Sequence, residues 1–207
     1  MSLITTKEWE KALERFSHVH VLQTAGWGMV KSKFGWYYRY VISQQAGAQI
    51  LFRRIPLGFS IAYIPKGPIG TDWNTLWPEV DWFCRKERTI FLKVEPDSWE
   101  DGSATAEKWV EGFVGNRTTF QPRRTIIVDL RGEPEAWLER MKQKHRYNIR
   151  LAIKKDVVVQ ASEDIGIFHK MMQITGQRDT FGVHTQAYYQ TVYDQFSADE
   201  RCVLLLA

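Results

Sequence analysis

The stretch MKQKHRYNIRLAIKK, residues 141–155, carries the strongest chemical signal in the sequence. If it forms one helix, Lys142, Arg146, Arg150 and Lys154 fall at successive i+4 positions, stacking their cations on one face, one per turn. Like charges at that spacing repel, so a helix that tolerates them usually has an anion to offset them. Steps of about 6 Å along the axis suit a row of nucleic-acid phosphates. Such contacts weaken with salt and read no base sequence. The competing reading is a solvated face met by acids from elsewhere. Met141, Ile149 and Ala152 form an apolar line on another face, with His145 between them as a packing or capping residue rather than a catalyst.

Other segments offer weaker chemistry. In QTAGWGMVKSKFGW, residues 23–36, a lysine follows a tryptophan on a predicted helix and can point into a groove as a point charge for phosphate. By composition alone, Lys31 and Lys33 are surface lysines. Gly26 and Gly28 do not form a nucleotide fingerprint, because no strand precedes them and the spacing fails. Residues 63–68, YIPKGP, read as a strand entering a rigid turn. Glu95 ends a predicted strand in LKVEP, where a carboxylate serves as general base if its pKa is tuned, or more commonly as a cap or ion-pair partner. In RDTFGVHTQAYY, residues 178–189, paired tyrosines open a predicted helix and can stack on a ligand, although core packing accounts for at least one of them. There is no HxxE-type metal cluster, no G-x-S-x-G elbow and no Walker loop. Cys84 and Cys202 form no CxxC pair, so no zinc or redox site is expected.

These residues need a scaffold, and the composition can supply one. The chain has 207 residues, 44% hydrophobic and 25% charged, ordinary values for a folded protein. A net charge of +4 gives only a weak preference for anionic partners. Nine tryptophans suit a core and the rims of grooves. Two lone thiols, an N-terminus containing acids and no long apolar run predict a cytoplasmic chain, one that meets any lipid-linked substrate from the cytosolic side. Helices are expected from residue 6 with Thr5 or Thr6 as cap, and over 24–34, 72–88 and 104–114. Strands are expected at 41–42 and 50–52 as a hairpin around 45–47, at 59–64, as a buried strand over 89–94, and at 125–130. This is a mixed α/β domain over residues 1–133. Residues 134–207 begin a second one: a helix over 134–155, a short strand over 157–159, helices over 163–175 and 186–196, and a central strand over 202–206. So few elements bury little on their own, so we expect the natural chain to continue past Ala207. An unfinished sheet edge also invites pairing with another copy, a homo-oligomer.

Taken in order, VLQTAGWGMVKSKFGW, AYIPKGP, FLKVEP, TFQPRRTIIVDL, RYNIRLAIKK and the RD…YY segment resemble the Fem family of peptidoglycan bridge enzymes over almost the whole chain. The resemblance implies a pair of acetyltransferase-like α/β domains, the second incomplete here. It implies transfer of an amino acid from aminoacyl-tRNA to the stem peptide of a UDP-linked muropeptide or lipid II, in peripheral proximity to the membrane, with no cofactor. Lys31 falls where the family contacts the acceptor diphosphate. Tyr188 matches the family's tyrosine, but His184 holds the place of its arginine, leaving Arg178 as the nearby guanidinium. Glu95 matches an acid proposed to assist catalysis. The basic helix would face the tRNA. The alternatives are an acyl-CoA-dependent N-acyltransferase of the same fold, whose Gly-rich pyrophosphate loop is not found within these residues and would have to lie past Ala207, and a non-catalytic RNA- or precursor-binding module.

Overall fold

The computed structural model describes residues 3–98, 112–115, 118–122 and 124–207. The helix expected over 104–114 falls mostly outside them. The chain divides into two compact units, Met1–Gln121 and Pro122–Ala207, each a mixture of helix and strand.

The first unit opens with helix α1 (Thr6–Leu13). Thr5 and Glu8 close a capping box, each satisfying the other's backbone N–H. Helix α2 (Ala25–Ser32) follows, its first N–H held by the Glu10 carboxylate at 2.9 Å. Strands β1 (Tyr37–Ile42), β2 (Ala46–Arg54) and β3 (Ser60–Pro65) form an antiparallel meander, with Tyr37 opposite Phe52 and Leu51 opposite Tyr63. Short β4 (Ile69–Gly70) pairs with the start of β2. Helix α3 (Trp77–Lys86) then returns the chain to β5 (Thr89–Glu95), parallel to β3. The path is β1-β2-β3-β5.

Alternation along β2 assigns its two faces. Ala46, Ala48, Ile50 and Phe52 join Val41, Ala62 and Ile64 in a core under Leu76, Val80 and Phe83. On the opposite face Trp9 stacks on Tyr40 with centroids 4.9 Å apart and donates its indole N–H to the Gln23 carbonyl. Gln23 and Gln49 are fully buried there and cross-link the short 3-10 turn Val21–Gln23, β2 and β3: Gln49 N–H donates to Gln23 Oε1, and Gln23 Nε2 donates to the Pro65 carbonyl at 2.6 Å. Strand β5 is not the buried strand expected: it ends the sheet path, and Ile90 and Phe91 are exposed.

The second unit departs further from expectation. Residues 125–130 join no ladder, and Ile126, Ile127, Val128 and Leu130 are exposed. The single helix expected over 134–155 is two, α4 (Pro134–Arg140) and α5 (Gln143–Lys154), because Met141 and Lys142 take extended backbone, Lys142 becoming the N-cap of α5. Neither the apolar line of α5 nor His145 is buried. The strand expected at 157–159 lies instead at β6 (Gln160–Ser162). Helices α6 (Ile165–Asp179, capped by Asp164) and α7 (Gln186–Ser197, capped by Thr185) follow. Among the described residues strand β7 (Leu204–Leu206) pairs only with β6, antiparallel and across the two intervening helices, so it is one of two short strands and not a central one.

Candidate functional site

Lys31 sits in the last turn of α2. That helix lies close to the sheet because Gly28 carries no side chain: a Cβ there would stand 2.4 Å from Gln49 Oε1 and 3.0 Å from the Tyr38 ring. The approach brings the half-buried Lys31 ammonium between two indoles, 5.8 Å from the Trp27 ring and 5.6 Å from that of Trp36. On the same face of the sheet, near the end of β2, the Arg53 guanidinium lies 5.8 Å from the Trp36 ring. Burial first, and then the Arg53 charge, hold the Lys31 amine below the ordinary lysine range. Lys33, by contrast, is exposed at the C-cap of α2.

Glu95 stands at the end of β5 with its carboxylate fully engaged. Tyr63 Oη donates to one oxygen at 2.5 Å, and backbone N–H groups of Phe120 and Gln121 donate at 2.6 and 3.1 Å. Lys93 Nζ adds an ion pair at 3.5 Å and also donates to the Thr118 carbonyl. The Phe120 ring packs edge-on against Tyr63 and under the Lys93 ammonium. Burial alone would raise the Glu95 carboxyl, but the hydrogen bonds from Tyr63, Phe120 and Gln121, with the Lys93 charge, bring it below its usual value. The Tyr63 phenol is pushed up by burial and by its bond to Glu95. To accept a proton from a substrate, this carboxylate has to release one of its donors.

In the second unit, His184 stacks on Tyr188 with centroids 4.0 Å apart and planes at 21°. Tyr189 meets both rings edge-on and also packs on Phe168. Tyr188 is buried, which raises its phenol. Arg178 makes a two-pronged bond to its neighbour Asp179 at 2.9 and 2.8 Å. Of the cations expected to meet phosphate, Arg150 and Lys154 are exposed along α5, and Lys142 is exposed at its N-cap. Arg146 is half-buried and donates to the carbonyls of Leu138, Glu139 and Met141, capping the end of α4. A depression of about 460 Å³ lined by Glu163, Tyr193, Glu200 and Cys202 contains none of the predicted site residues. Among the described residues no group of three or more His, Cys, Asp and Glu is placed to hold a metal ion.

Sequence reasoning pointed to Lys31 and Glu95 but missed Arg53, Tyr63, Lys93 and Phe120. Arg53 had a readable signal: β2 is apolar through Phe52 and then turns abruptly basic. Phe120 had none, since its role depends on a backbone N–H.

Cations seated on aromatic rings and a multiply bonded carboxylate thus stand on one mixed α/β sheet. The chain belongs to the FemAB family, whose model matches residues 103–207. It is 27% identical to the lipid II:glycine glycyltransferase of Staphylococcus aureus (strain COL) over 98% of this chain and 53% of that protein. It is also 27% identical to the protein of the same name from Staphylococcus saprophyticus, over 95% and 54%. The crystal structure of FemX superposes with a TM-score of 0.82 at 26% identity, covering 99% of this chain and 56% of that one. The chain thus spans about half the length of the relatives it matches.

Proposed function

We propose that this protein takes part in transfer of an amino acid from aminoacyl-tRNA to the stem peptide of a peptidoglycan precursor, lipid II or its UDP-linked counterpart. The observation that carries this reading is similarity along nearly the whole chain to two proteins named lipid II:glycine glycyltransferase. In this reading each unit is acetyltransferase-like. Lys31 binds the acceptor's diphosphate, and the His184–Tyr188 stack with Arg178 supplies the remaining acceptor contacts. The exposed cations of α5 meet tRNA phosphates.

The chemistry is aminolysis of an activated ester. The acceptor amine forms a C–N bond at the aminoacyl carbonyl, the C–O bond to the ribose breaks, and the amine's proton leaves with the departing hydroxyl. Such a reaction needs alignment, proton removal and oxyanion stabilisation, with no covalent nucleophile. Glu95 is the candidate acid. Its depressed pKa makes it a weak base as seen, so its contribution is strongest if substrate displaces one of its donors.

Calorimetric titration of UDP-linked muropeptide pentapeptide tests the acceptor assignment. Loss of one charged contact in Lys31→Ala should weaken binding by about tenfold to a hundredfold. Unchanged affinity in the variant would remove Lys31 from the acceptor site.

A further inference from the structure

The basic residues near the end of β2 are not treated alike. Arg54 and Arg39, on the α3 side of the sheet, share the carboxylate of Glu87 at 3.8 and 3.4 Å. Arg53, one residue away on the opposite face, has no ion pair among the described residues and stands beside Lys31 over the same Trp36 ring. Two cations at one indole repel each other, and the Lys31 amine is held below its ordinary range partly for that reason. Cation–π attraction offsets part of the cost and holds both groups near one platform.

We propose that Arg53 and Lys31 form one anion site on Trp36 and that its ligand is a diphosphate, with Arg53 as a second binding residue for the precursor. The precursor as the source of the diphosphate rests on the function proposed above; the anion site itself rests on geometry alone. A diphosphate distributes its charge over two phosphoryl groups, so it can engage both cations together and relieve their repulsion. The guanidinium offers a planar fork for two phosphoryl oxygens, and the ammonium a point charge. Arg53 is exposed and Lys31 half-buried, so the ligand enters from solvent at Arg53 and ends against the indoles. UDP-linked and lipid-linked precursors share this chemistry.

The test is titration of the chain with inorganic pyrophosphate, followed by tryptophan fluorescence. Arg53→Ala should weaken binding about tenfold and reduce the salt dependence, with Arg53→Lys intermediate. Because Arg53 is exposed, its variants should melt like the parent, which separates binding from folding. Pyrophosphate binding that is absent in the parent, or unchanged in Arg53→Ala, overturns the proposal. In parallel arms, UDP-linked muropeptide and a short-chain polyprenyl-diphosphate muropeptide should each lose affinity in Arg53→Ala, and the preferred carrier identifies the source. A muropeptide stripped of its diphosphate should bind parent and variant equally. If pyrophosphate binding depends on Arg53 but neither precursor binds more tightly than pyrophosphate, the anion site stands and the precursor reading falls.

Discussion

Removing the Glu95 side chain takes an acceptor from Tyr63 Oη and from the N–H groups of Phe120 and Gln121, and an ion-pair partner from Lys93, at once. The first effect expected of Glu95→Ala is therefore on stability, on the order of 2 kcal/mol by denaturant titration. Its pH dependence follows from the lowered pKa. In the unfolded chain the carboxyl titrates near its ordinary 4.5, and in the folded chain below that. The stabilising contribution is complete above the unfolded value and is lost as pH falls through the folded one. Unfolding curves of parent and variant should therefore converge on acidification below about pH 4.5 and stay apart at neutral pH. A difference that persists undiminished at low pH would mean that the charge is not what holds residues 118–121 to β5.

Helix α2 shows how an element can depend on what is absent. Alanine at position 28 gains about 1 kcal/mol of helix propensity. Its Cβ, however, meets Gln49 Oε1, and Gln49 is fully buried with its Nε2 donating to the Leu22 carbonyl. A pinned neighbour cannot yield cheaply, and overpacking of this kind costs about 1–3 kcal/mol. Gly28→Ala should therefore destabilise the first unit and displace Lys31 from its indoles, which thermal melting and pyrophosphate titration report together. This close approach was not legible in the sequence, where Gly26 and Gly28 only failed a nucleotide pattern. Much else was. The Thr5 cap, the helix around Lys31, the hairpin and the strand before Pro65 follow from local capping, periodicity and turn chemistry. What failed depended on partners distant in sequence. Apolar runs at 89–94, 125–130 and 202–206 all read as strands, the first buried and the last central, but what lies alongside decides: β5 ends the sheet path with Ile90 and Phe91 exposed, 125–130 joins no ladder among the described residues, and β7 pairs with short β6. The same holds for Arg146: helical spacing puts it in a row of cations, and only the break at Met141 and Lys142 turns it inward onto three carbonyls.

For the whole molecule, that inward turn separates formal charge from charge available to a partner. The sequence carries +4, and the row Lys142, Arg146, Arg150 and Lys154 contributes four cations, yet Arg146 is committed to α4. Replacing Arg150 and Lys154 together by alanine should lower the slope of log affinity for tRNA against log salt by about two. Arg146→Ala should instead lower the melting temperature and leave that slope nearly unchanged. Equal slope changes from both variants would return Arg146 to the phosphate contacts.

Ile126, Ile127 and Val128 present a β-branched run to solvent with no ladder among the described residues to occupy its N–H and C=O groups. A run of that kind is a template for strand addition, so the protein carries a concentration ceiling of its own. Samples concentrated for spectroscopy should become turbid with time in proportion to protein and not to temperature alone. Val128→Lys, a gatekeeper charge in mid-run, should raise that ceiling without moving the melting point, and so lengthen the working life of every sample used for the titrations above.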